Sequence, residues 1–168
     1  ESVKFGKSLW KIGAYAFIEC EKLKCIVLPN NVKVILTGGF NDCCCLSSVT
    51  LSTSMTEIPA EAFAGCMALT TVALPQSVTS IGDNAFYDCS LLSTISLANV
   101  NHIGQSAFYD CRSLSEITLS DNLSVINDYA FKGCTSIKGV TIPENVCKIG
   151  ESAFYDCTAL ENVTFAGT

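Results

Sequence analysis

Eleven cysteines stand in a chain of 168 residues. Three of them follow an aspartate in a repeated pentapeptide, AFYDC, at 85–89, 107–111 and 153–157. A thiol beside a carboxylate can act as a nucleophile when a base lies within hydrogen-bond reach. Cysteines in such number also raise zinc and disulfides. Cys43-Cys44-Cys45 is the cluster that most invites a metal. Zinc, however, takes its ligands from separated turns, and three consecutive residues cannot all face one ion without strain. Redox sensitivity at Cys44 or Cys45 is the reactivity to expect there. The lone histidine, His102, falls in an outward slot between Val100 and Ile103, with Ser80 and Val125 at the same slot of neighbouring repeats. That set makes no triad. In the Asp88-Cys89 pair, adjacent residues of a turn point apart, so the acid should face water and the thiol the interior. No glycine-rich phosphate loop appears. The reading is no catalytic residue, no cofactor and no metal.

Spacing explains the cysteines better than reactivity does. Phe-x-x-Cys occurs seven times: Phe17/Cys20, Phe40/Cys43, Phe63/Cys66, Phe86/Cys89, Phe108/Cys111, Phe131/Cys134 and Phe154/Cys157. The intervals are 23, 23, 23, 22, 23 and 23 residues. A fixed period of this size marks an array of one supersecondary unit. Five residues before each Phe stands an isoleucine: Ile12, Ile35, Ile58, Ile81, Ile103, Ile126 and Ile149. Three after each Cys comes Leu or Ile, followed by a two-step alternation such as Val72-Ala73-Leu74. The alternation predicts a short strand with one buried face. The Ile81, Phe86, Cys89, Leu92 spacing predicts one or two helical turns, begun at Gly82 or Asp83. The short unit lacks its residue between Ala98 and Val100, in a turn, where deletion costs least.

No unit can bury its own apolar face, so stacked units must share a core. Column cysteines one strand spacing apart, pointing the same way, do not meet the geometry of a disulfide. They are expected as reduced, buried thiols, each a small soft packing residue. The remaining cysteines are Cys25, Cys44, Cys45 and Cys147.

The unit L-x-x-V-x-L-P-x-x-V-x-x-I-G-x-x-A-F-x-x-C, seen best in LPQSVTSIGDNAFYDCSLLSTISL at 74–97, resembles the leucine-rich repeat of the Treponema pallidum, or BspA-like, type. The resemblance covers essentially the whole chain. The second unit departs from it, with Leu36 in place of Gly and Gly38-Gly39 before Phe40, which questions its helical turn. The expected fold is an α/β solenoid: a right-handed array of about 23-residue units, with a parallel sheet on the concave face and short helical turns on the other. Residues 1–168 read as one leucine-rich repeat domain of about seven repeats, a segment of a longer array. Val3-Lys4-Phe5 and Val163-Thr164-Phe165 both occupy strand slots without polar capping repeats, so end-to-end self-association is expected.

The resemblance implies a cell-surface or secreted protein, since several family members are adhesins for host or microbial proteins. The alternative is an intracellular scaffold of the same fold, which the many free thiols suit. The partner is a protein in either case. A net charge of −6 argues against nucleic acid, and no stretch is long and apolar enough to insert in a membrane. Charge is uneven: residues 1–33 hold six lysines, whereas 34–111 hold no Lys or Arg. The binding face expected of such solenoids is the concave sheet. The residues facing it include Thr50, Thr71, Thr94, Ser96, Glu116, Thr118, Thr141 and Thr164. An acidic and aromatic ridge is the alternative contact: Tyr87, Asp88, Tyr109, Asp110, Tyr155 and Asp156. It offers one carboxylate per rung, too few oxygens for calcium.

Overall fold

The computed structural model describes residues 2–167. The chain winds as a β-solenoid whose rungs present three sides. On the first side run the alternating strands Ser2–Val3, Cys25–Val27, Ser48–Thr50, Thr94–Leu97, Glu116–Leu119, Gly139–Ile142 and Asn162–Phe165. Val72 and Thr71 join this ladder through single bridges to Val49 and Thr94. All pairing is parallel, and the register follows the repeat, as in Glu116 opposite Thr94 and Gly139 opposite Asn162. Ile26, Val49, Val72, Ile95 and Val140 point inward from the strand centres, while the residues beside them face solvent.

The second side also pairs in parallel, in three separate short ladders that the sequence reading does not separate from the turns. It is built of two-residue strands at Lys11–Ile12, Val34–Ile35, Glu57–Ile58, Ser80–Ile81, His102–Ile103, Val125–Ile126 and Lys148–Ile149. The isoleucine column is buried from Ile12 to Ile126 and opens at Ile149. The pairing of Ser80 with His102 absorbs the missing residue of the short unit.

The third side corrects the expected helical turns: no helix occurs among the described residues. Each Phe lies instead within three overlapping turns, for example Ala85 N–H to Gly82, Tyr87 N–H to Asn84 and Cys89 N–H to Phe86. The residues two before and two after each Phe have φ between 52° and 74°. A left-handed residue stops a right-handed helix, because its N–H and C=O turn out of the helical direction. Here alternate N–H groups reach the next rung: Asn84 to Gln105, Phe86 to Ala107 and Asp88 to Tyr109. The second unit follows the same path, with Gly38 at φ 62°. A glycine is required there, because the Tyr15 ring lies where a Cβ of residue 38 would stand.

The left-handed positions explain the aspartate of AFYDC. Asp42, Asp88, Asp110 and Asp156 all occupy the position two after Phe, where Gly65 and Gly133 stand in other rungs. Asn, Asp and Gly tolerate this conformation best. Glu19 holds the same position at φ 56° and is exposed. Glu19→Gly should therefore stabilise the fold by about 1 kcal/mol, the strain relieved less the added entropy of glycine. Thermal unfolding should shift upward by about 2–4 °C; no rise would show that Glu19 carries no strain.

Between the three sides lies a single apolar core. The seven phenylalanines form one stack, with neighbouring centroids 5.2–5.8 Å apart and planes within 16°. Phe5 closes one end edge-on at 5.9 Å and 88°. Each thiol of the Phe-x-x-Cys column from Cys43 onward donates to the carbonyl of the Phe one rung earlier, as in Cys89 to Phe63 and Cys111 to Phe86, at 3.1–3.3 Å. The cysteine thus fills space as expected and also satisfies a buried carbonyl. Rungs approach so closely at the glycine after Ile that a Cβ on Gly82 would stand 2.5 Å from the Ala60 nitrogen. Asp83 and Asp128, at the next position, each accept a backbone N–H from the following rung, Gln105 at 2.7 Å and Glu151 at 2.8 Å.

Candidate functional site

The thiols come first, because their chemistry raised the question. Cys43, Cys66, Cys89, Cys111, Cys134 and Cys157 are buried, and Cys20 is half-buried. Burial pushes the Cys43 and Cys157 thiols up to about 11. It also holds Cys66, Cys89, Cys111 and Cys134 well above the usual thiol range. A reactive cysteine needs the opposite shift and a route to solvent. Cys44 is also raised, by loss of water and by the neighbouring Cys45 thiol, which lowers the reactivity expected at that pair. Among the described residues, no three His, Cys, Asp or Glu side chains converge as metal ligands. His102 is exposed in its strand, paired with Ser80.

The strand side carries the predicted contact residues. Thr50, Thr71, Thr94, Ser96, Glu116, Thr118, Thr141 and Thr164 are all exposed on its outer face. Inward neighbours fix their direction, because strand side chains alternate. A shallow groove of about 410 Å³ is lined by Thr71, Ala73, Thr94, Ser96, Glu116 and Thr118. A second, of about 380 Å³, continues it past Glu116 to Lys138 and Gly139. The lining is small, hydroxylated and nearly free of charge. It can offer hydrogen bonds in a regular array, but no large anchor.

The ridge on the turn side is more differentiated than its sequence suggested. Tyr87 and Tyr109 stack at 4.8 Å. Lys132, one rung on in the same column, holds its ammonium 5.0 Å from the Tyr109 ring, 5.2 Å from Tyr155 and 5.4 Å from Tyr129. A cation over aromatic faces is attracted by their quadrupoles. Tyr129 in turn donates its hydroxyl to Glu151 at 2.9 Å. Asp110 pairs with Arg112 at 3.0 Å. Burial and then the Asp110 charge push the Asp88 carboxyl up. Asp156 is exposed and Asp88 half-buried. Lys132, Tyr129 and Arg112 were not singled out from the sequence. The signal was there for Lys132, which stands 23 residues from both Tyr109 and Tyr155.

A family model of BspA type leucine rich repeat regions matches residues 1–115 and 80–168, in six copies. Among solved structures, a leucine-rich repeat protein from Bacteroides ovatus is 33% identical over 91% of this chain, with a TM-score of 0.88. A leucine rich repeat protein of T. pallidum is 26% identical over 95% of the chain and 78% of its own, with a TM-score of 0.86. A leucine rich cell surface protein from Faecalibacterium prausnitzii is 26% identical over 99% of the chain, with a TM-score of 0.56. The present chain spans 40% of the Bacteroides ovatus protein and 32% of the Faecalibacterium prausnitzii protein. No curated protein matches.

Proposed function

This chain belongs to the BspA-type leucine-rich repeat family, and on that premise we propose that it is a non-catalytic adhesion module of a cell-surface or secreted protein. The family fold is a protein-interaction scaffold, and the proposal adds the address and the binding face. The observation that carries it is the strand-side groove over Thr71, Thr94, Ser96, Glu116 and Thr118. A rigid ladder of small hydroxylated side chains favours an extended protein partner, with many weak contacts summed along it. The likeness to a cell surface protein of Faecalibacterium prausnitzii supports the address. The buried column thiols do not oppose it, although Cys45 and Cys147 are exposed. Sulfurs that are buried, hydrogen-bonded and held as neutral thiols resist oxidation outside the cell as well as inside it.

Thr94→Lys with Thr118→Lys tests the face. The two positions lie on neighbouring strands, two residues out of register and therefore on the same face, and added ammonium groups there would disrupt a close contact. Binding to a panel of purified extracellular-matrix proteins should fall at least tenfold, with thermal unfolding unchanged. Undiminished binding by the folded variant would remove the strand face from the proposal.

A further inference from the structure

The turn-side column reads Ile18, Asn41, Ala64, Tyr87, Tyr109, Lys132, Tyr155. Rung six shows what the column does when complete: an ammonium is held between rings of the preceding and following rungs, with a third ring, Tyr129, from its own rung. Rung three keeps one of those three rings, Tyr87, and lacks the cation; Asn41 stands where Tyr109 stands. Ala64 stands where Lys132 stands, and Glu61 stands where Tyr129 stands. Over Ala64 lies a hollow of about 260 Å³, walled by Asn41, Glu61, Asn84 and Tyr87. Tyr87 gives one face to Tyr109 and is 40% exposed, so its other face is left for the hollow.

We propose that this hollow binds an arginine side chain of a partner protein. Three features select that occupant. The Tyr87 face attracts a cation, as the equivalent faces attract Lys132. The Glu61 carboxylate accepts the Tyr15 hydroxyl at 3.1 Å and keeps lone pairs for further donors. Asp42 and Asp88 stand at the adjoining left-handed positions, and residues 34–111 supply no Lys or Arg; the cations that reach this region, Arg112 toward Asp88 and Lys132 toward Tyr87, come from later rungs. A guanidinium is preferred to an ammonium because it is planar, stacks on a ring and presents several donors at once to a carboxylate and side-chain amides. The site lies on the turn side, apart from the strand-side groove, and stands whether or not that groove binds.

The test is a titration of the intact chain with the peptide acetyl-Gly-Arg-Gly-amide, followed by NMR at the Tyr87 ring. The same peptide with citrulline for arginine keeps the shape without the charge. Saturable shifts of the Tyr87 ring with the arginine peptide, and none with the citrulline peptide, are expected. Glu61→Gln should weaken binding at least tenfold. Ala64→Lys, which places the chain's own ammonium in the slot, should abolish it. Equal shifts from the two peptides would overturn the proposal. So would wild-type affinity in folded Glu61→Gln, which decides the matter should Ala64→Lys fail to fold.

Discussion

Raising the pH from 9 to 10 should remove about 5 kcal/mol of stability, with almost no change below about pH 8. The cause is the sulfur column. Cys66, Cys89, Cys111 and Cys134 are inaccessible to water, and burial holds all four well above the usual value of 9.0. In the unfolded chain the same thiols ionise near pH 9. Between the unfolded and folded values, the unfolded state binds fewer protons than the folded one, so stability falls as pH rises. Each such thiol contributes about 1.4 kcal/mol per pH unit in that window. Cys43 and Cys157, raised only to about 11, add to the same direction. A typical domain holds about 5–15 kcal/mol in all, so the loss is decisive. Urea unfolding at pH 8, 9 and 10 measures it. Cys111→Ala should be less stable at pH 8, because the Phe86 carbonyl loses its S–H donor, yet should show a shallower pH slope by about 1.4 kcal/mol per unit. An unchanged slope in that variant would assign the alkaline loss to tyrosines and lysines instead.

The same column shows where the sequence speaks and where it is silent. The 23-residue period, the inward strand centres and the buried Phe and Cys columns follow from which positions repeat as apolar. Burial is a property of residue type and spacing, and both are written in the chain. The conformation between Ile and Cys is not. Ile81, Phe86, Cys89 and Leu92 lie three to five residues apart, which suits a helix as well as a stack of turns. The deciding residues were polar and variable: Asn84, Asp88, Ser106 and Asp110 at positive φ. A recurrent Asp two after Phe fits a solvated acid as well as a left-handed position, and the sequence alone does not separate the two. The second ladder was hidden for a related reason. Two residues such as Ser80–Ile81 are too short to show alternation, and their pairing comes from the neighbouring rung. The ridge shows the third limit. Tyr87, Tyr109 and Tyr155 repeat and were visible, whereas Lys132 breaks the repeat and gains its meaning only from the rings on either side.

Phe86→Ala should cost about 4–5 kcal/mol and divide the array. Truncating a buried Phe costs about 3–5 kcal/mol through lost transfer energy and the cavity left behind. Phe86 also stacks on two rings, Phe63 at 5.6 Å and Phe108 at 5.4 Å, and each aromatic pair adds about 0.5–1.5 kcal/mol beyond burial. The hole cannot easily collapse. Backbone bonds of Phe86 N–H to Ala107 and of Phe63 N–H to Ala85 fix the rung spacing on that side. Phe154 is the comparison: it is half-buried, whereas Phe86 is fully buried, and it stacks on Phe131 at 5.4 Å, so Phe154→Ala should cost about half as much. The position matters for cooperativity as well as for size. In a solenoid each rung touches only its neighbours, and stability is a sum of rung and interface contributions. Weakening the middle interfaces uncouples the rungs before Phe86 from those after it. Urea unfolding of Phe86→Ala should therefore be lower in midpoint and shallower, or split in two, while Phe154→Ala keeps one transition. Equal losses at the two positions would mean that the phenylalanine stack does not couple the rungs.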